Sequence, residues 1–147
     1  MNEATRYDEE GAGEREELVA REGLAETFED LRIWQAARRL FRETHESLRN
    51  GAAAKDLAFR HQMQRAALSV MNNIAEGFER RTPADFAHFL DLAKGSSGEV
   101  RSMTYAGEDV AYFSIRSALR LRTEYRDLSM SIAALARHLR KGGRVER

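Results

Sequence analysis

From Thr27 to Lys141 the apolar residues of this chain recur at steps of three and four, the period of helices buried along one side. Four such stretches are separated by short breaks. The predicted fold class is all-α, an antiparallel up-down four-helix bundle. The first stretch starts at Thr27, whose hydroxyl can cap a turn that Glu29 and Asp30 complement at its positive end. Leu31, Trp34, Ala37, Leu40, Phe41 and Leu48 then form one apolar stripe, and Asn50-Gly51, both tolerant of left-handed backbone, end it. Asp56 is the expected cap of a second helix from Leu57 to Glu79. In it Ala66, Ala67, Leu68, Val70, Met71, Ile74, Ala75 and Phe78 point in nearly every direction, which places this helix at the centre of the fold.

Arg80-Arg81 leads directly into Thr82-Pro83-Ala84-Asp85, a capping threonine, a proline at the first helical position and an acid at the third. So short a link lays the second and third helices side by side and antiparallel. The third helix carries Phe86, Phe89, Leu90, Ala93, Ser97, Val100, Met103, Gly107 and Val110 inward. Its Gly95-Ser96-Ser97-Gly98 run has neither the leading strand nor the following lysine of a phosphate loop, and is read as a place where a neighbouring helix comes close. Residues 111–114 turn the chain. In the fourth helix Leu121, Tyr125, Leu128, Ile132, Leu135 and Leu139 form a heptad seam, which Gly142-Gly143 ends.

Composition narrows the chemistry. The chain has 147 residues, one proline and no cysteine, which excludes disulfides, thiolate metal sites and a cysteine nucleophile. No apolar run approaches the roughly 18 residues of a membrane span, and the acidic start lacks a signal-peptide layout, so a soluble, cytoplasmic protein without membrane association is expected. Net charge is zero but unevenly spread. Residues 1–22 hold eight carboxylates against three arginines, a net −5, which leaves +5 for the rest. The expected organisation is an acidic, disordered extension over 1–26, a helical domain over 27–141 and a mobile basic tail over 142–147. The extension reads either as a solubilising tail or as an arm that covers a basic face of its own protein.

The four histidines, His45, His61, His88 and His138, sit one per helix without metal-ligand spacing, and no serine lies in a nucleophile elbow. No enzyme, metal or cofactor is expected. On the second helix Gln62, Arg65, Asn73 and Glu76 recur as a polar seam, read as architectural. The first and fourth helices present Arg38, Arg39, Arg42, Arg49, Arg116, Arg120, Arg122, Arg126, Arg137, Arg140 and Lys141. Arginine-phosphate contacts would give salt-dependent affinity for RNA or DNA. Interspersed Glu43, Glu46, Glu124 and Asp127 offer the competing reading of a solvated, self-paired face. The alternative function is a protein-protein scaffold that ignores nucleic acid.

The run Gln62-Met63-Gln64-Arg65-Ala66-Ala67-Leu68-Ser69-Val70, with Asn73-Ile74-Ala75-Glu76-Gly77-Phe78, resembles the signature of the bacterial four-helix bundle proteins named after intervening sequences in 23S ribosomal RNA. Phe86, Phe89-Leu90, Ala93-Lys94-Gly95-Ser96 and Gly98-Glu99-Val100 resemble its second block, and Phe28-Glu29-Asp30-Leu31 with Trp34 its opening. The resemblance implies an up-down bundle assembled as a ring-shaped homopentamer, without established enzymatic activity. Similar accessory proteins of diversity-generating retroelements carry basic surfaces and bind nucleic acid and a reverse transcriptase, which makes both implied partners here. Met71 stands where many relatives have proline, and the acidic extension lies outside the family pattern.

Overall fold

The computed structural model describes residues 24–145. Most of the acidic extension, residues 1–23, and the last two residues of the basic tail lie outside the described residues. Four helices are present: α1 (Arg32–Ser47), α2 (Leu57–Phe78), α3 (Pro83–Asp109) and α4 (Ile115–Arg140), with 3-10 turns at Phe28–Asp30 and Ala53–Lys55. Among the described residues there is no sheet. No helix of them is long and apolar enough to cross a membrane. α2 runs uninterrupted through Met71, as expected of a chain without proline there.

Local chemistry sets most boundaries. Asp56 Oδ1 accepts from the Phe59 amide at 3.0 Å, Thr82 Oγ1 from the Asp85 amide at 3.1 Å, and Ser114 Oγ from the Ser117 amide at 3.1 Å. Gly51 and Gly142 take the left-handed backbone, at φ 66° and 80°, where α1 and α4 have ended. The start of α1 departs from the sequence reading. Thr27 caps only a 3-10 turn, closed by the Asp30 carboxylate, which accepts from the Glu26 and Thr27 amides at 2.9 and 3.1 Å. Leu31 then adopts an extended backbone that drops its side chain into the core, 2% exposed, and the α-helix begins at Arg32.

α2 packs between α1 and α3, and α4 between α3 and α1. Met63, Ala66, Ala67, Val70 and Ile74 of α2 are buried, and so are Leu121, Tyr125, Leu128, Ile132 and Leu139 of the α4 seam. The apolar character of α2 extends further than its burial, for Leu68 is exposed and Met71 and Ala75 are half-buried.

A ladder of small hydroxyls crosses the interior. Asn73 Nδ2 donates to the Ser69 carbonyl and hydroxyl at 2.8 and 2.9 Å, and Ser69 Oγ meets Ser96 Oγ at 2.8 Å, joining α2 to α3. Ser97 Oγ donates to the Tyr125 carbonyl at 2.9 Å and accepts from Ser129 Oγ at 2.7 Å, joining α3 to α4. Tyr125 Oη and Thr44 Oγ1, 2.8 Å apart in the core, join α4 to α1. Each side chain of this ladder thus has a partner, which is the condition for tolerating buried polar groups. Of the Gly-Ser run, the serines hold the helices together. Gly95 and Gly98 do not, since a Cβ at either would meet nothing within 4 Å. The glycines at which elements do come close are Gly77, against Phe86 and Phe89, and Gly107, against Phe113.

Burial raises the ionisation of the Tyr125 phenol far above its usual value, against a smaller opposing effect of the Thr44 hydrogen bond. The unfolded chain releases this proton near pH 10 while the folded one keeps it. The stabilisation is therefore complete below about pH 10 and lost as pH rises through the folded value. Tyr125→Phe should flatten the alkaline limb of a urea-midpoint against pH profile. It should also cost about 1 kcal/mol at neutral pH by orphaning the Thr44 hydroxyl. An unchanged alkaline limb would assign that pH dependence to other groups.

Candidate nucleic-acid interface

The arginines expected to form one surface separate into paired and unpaired sets. Arg39 Nη1 lies 2.8 Å from Glu43 and 2.6 Å from Glu124, while Arg120 Nη1 lies 3.0 Å from Glu43 and 3.7 Å from Glu124. These four side chains form a closed ring of alternating charge between α1 and α4. Hydrogen bonds to Glu124 and then Glu43 raise the Arg39 pKa further above its ordinary value. Arg122 is engaged by Glu108 at 2.6 Å and Thr104 Oγ1 at 3.1 Å, and its guanidinium lies 3.4 Å over the Tyr105 ring. Arg49 pairs with Glu46 at 3.2 Å, Arg140 with Asp91, and Arg38 lies over Trp34 at 5.7 Å. Arg42, Arg116, Arg137 and Lys141 are exposed and make no ion pair among the described residues.

A second basic surface lies between α3 and α4. Lys94 and Arg101 from α3 face Arg126 and Arg137 from α4 across a groove of about 460 Å³, floored by Ser129, Met130, Ala133 and Ala134. No carboxylate lines it. Arg126 has one loose contact, 3.4 Å to Asp127. Arg101 is half-buried, and its Nε is shielded from solvent without a hydrogen-bond acceptor. Lys94 and Arg101 are seven residues apart, two helical turns, and Gly98 stands between them in the helical register without a side chain to fill the gap. On α4, residues 126, 130, 133 and 137 repeat at helical spacing. Four cations around a largely apolar lining can hold a chain of phosphates while the lining meets the sugar or base.

Arg126 and Arg137 of this groove were expected from the sequence, while Lys94 and Arg101 were not. Attention to the apolar side of α3 hides them. The available signal was their two-turn spacing on either side of a glycine.

Of the α2 polar seam, Asn73 joins the hydroxyl ladder. Gln62 bonds Glu99, Glu76 pairs with Arg80 at 2.6 Å, and Arg65 is exposed without an ion pair among the described residues. Of the seam, Gln62 thus links α2 to α3 directly and Asn73 does so through Ser69 and Ser96, whereas Glu76 pairs within its own stretch of chain. Among the described residues, no three His, Cys, Asp or Glu gather as a metal site. His45 contacts Gln64 at 3.0 Å and His138 the Arg144 carbonyl at 2.7 Å.

Four packed helices joined by hydroxyls make this a small all-helical protein. The chain belongs to the 23S rRNA-intervening sequence protein family, whose model matches residues 29–134. Its fold is similar to the crystal structure of a protein of unknown function from the S23 ribosomal protein family of Bacteroides thetaiotaomicron, with a TM-score of 0.65 at 15% identity. That alignment covers 71% of this chain and 97% of the other. No curated protein matches the chain.

Proposed function

We propose that this protein is a non-enzymatic, self-assembling up-down helical bundle that binds the phosphate backbone of RNA or DNA in the α3–α4 groove. The observation that carries the reading is the groove's four cations with no carboxylate among its lining residues. The up-down arrangement is supported by cross-helix pairs in which one number rises as the other falls: Gln62 with Glu99, Ser69 with Ser96, and Gly77 against Phe86. Self-assembly, as the homopentamer the family resemblance implies, is supported by large apolar side chains left in solvent near the α3–α4 turn. Val110 is 57% exposed, Ile115 73% and Leu119 54%. A cytoplasmic nucleoprotein complex, with a reverse transcriptase as one partner, is the setting this reading suits.

Fluorescence anisotropy with a labelled single-stranded oligonucleotide, over a salt series, tests the groove. Four phosphate contacts imply a slope of log affinity on log salt near −3, or roughly 50-fold weaker binding at 200 mM than at 50 mM salt. Arg101→Glu with Arg137→Glu should reduce both affinity and slope. Arg39→Gln with Glu43→Gln, which dismantles the neutral ring without changing net charge, should leave them unaltered. Salt-independent binding would overturn phosphate contact as its basis, and no binding at low salt would overturn the reading in favour of a scaffold that engages only proteins.

A further inference from the structure

The described chain begins near the end of α4, the helix that also forms one wall of the groove. Leu24 and Ala25 lie against Leu139, Arg144 and Val145, and the Ala25 amide donates to the Val145 carbonyl at 3.3 Å. This is the end of the molecule at which α4 terminates, and Arg137 is one turn earlier on the same helix. Residues 1–22 must leave from there, carrying eight carboxylates and a net charge of −5. The groove takes up about 16 Å of α4 from Arg126 to Arg137, at about 1.5 Å per residue. A 22-residue segment can extend about 70 Å, several times that length. Its charge is opposite to that of the groove and of similar size.

We propose that residues 1–22 dock in the α3–α4 groove of their own chain and compete with nucleic acid for it. The inference rests on reading the groove as an anion site, and it adds a regulator that the chain itself supplies. Glutamate and aspartate side chains offer Lys94, Arg101, Arg126 and Arg137 the charge-assisted acceptors that phosphates would, though without phosphate's matched geometry. Tethering gives the segment a local concentration on the order of millimolar, sufficient for weak contacts to exclude a dilute ligand. The contact is ionic and solvent-facing, so added salt releases it. Binding of a long nucleic acid would displace the segment and leave it free.

The absence of cysteine allows a clean test on the full chain. A nitroxide attached to Ala12→Cys should broaden the amide resonances of residues 94–101 and 126–137 in low salt. The broadening should vanish in about 0.5 M salt, where the screening length falls to a few ångströms, and also in the Arg101→Glu, Arg137→Glu background. In parallel, replacing the eight acids of residues 1–22 by their amides should tighten oligonucleotide binding by about tenfold or more. Tighter binding without broadening at the groove would overturn docking, because a diffuse field alone explains it. Broadening in a chain that binds no oligonucleotide would uphold docking and refute the nucleic-acid reading instead.

Discussion

Ile74→Asp is expected to abolish the folded state. Ile74 is fully buried on α2, the helix that packs against both α1 and α3. The substitution removes the transfer energy of a large aliphatic side chain and adds the cost of an unpaired buried charge, together more than about 4 kcal/mol. Domains of this size are stable by roughly 5–15 kcal/mol, so little or nothing would remain. Far-UV circular dichroism with urea unfolding measures the loss, and light scattering coupled to size exclusion reports the assembly. Leu68→Asp, on the same helix but 38% exposed, is the control. It should leave the helices intact, and if it also dissociates an oligomer, the open side of α2 is a subunit contact. A cooperative, native-sized Ile74→Asp protein would mean that α2 is not the buried centre described above.

Gly107→Ala should be clearly destabilising, although it places a better helix former in a helix. An added Cβ would lie 2.4 Å from two ring atoms of Phe113 and 3.2 Å from Phe59. Phe113 has little freedom to retreat. Its ring is 6% exposed and tilts against Phe59, and the Phe113 and Tyr112 amides both donate to the Gly107 carbonyl, at 3.2 and 2.7 Å. Overpacking costs about 3 kcal/mol and improved propensity returns about 1, for a net loss near 2 kcal/mol. Gly98→Ala, the same chemical change nine residues earlier on α3, meets no atom within 4 Å and should instead stabilise by up to about 1 kcal/mol. Opposite signs in urea midpoints are the expected result. Equal effects would show that the α3–α4 turn adapts freely.

The parts of the fold legible in the sequence are those decided within a few residues. Asp56, Thr82 and Ser114 declare helix starts because a cap needs only its own next turn, and Gly51 and Gly142 declare ends for the same reason. The heptad seam of α4 was readable because periodicity is local. The start of α1 was misplaced by five residues, since the pull of the core on Leu31, a tertiary effect, outweighs the capping signal at Thr27. The candidate site was only half legible. Whether an arginine is free depends on carboxylates distant in sequence, as with Arg39 and Glu124, 85 residues apart. Lys94 and Arg101 gain meaning only when α3 is laid beside α4.

The neutral ring of Arg39, Glu43, Arg120 and Glu124 gives the two edges of α4 different electrical characters. Along the edge that meets α1, opposite charges close on one another, and their fields cancel within a few ångströms of the surface. Along the stretch of the other edge that lines the α3–α4 groove, between the Arg122–Glu108 and Arg140–Asp91 pairs, the charges are of one sign and sit over low-dielectric side chains, which focus their field outward. An incoming polyanion would be rotated toward that edge while still diffusing, so orientation is settled before contact and α4 acts as the needle of a compass.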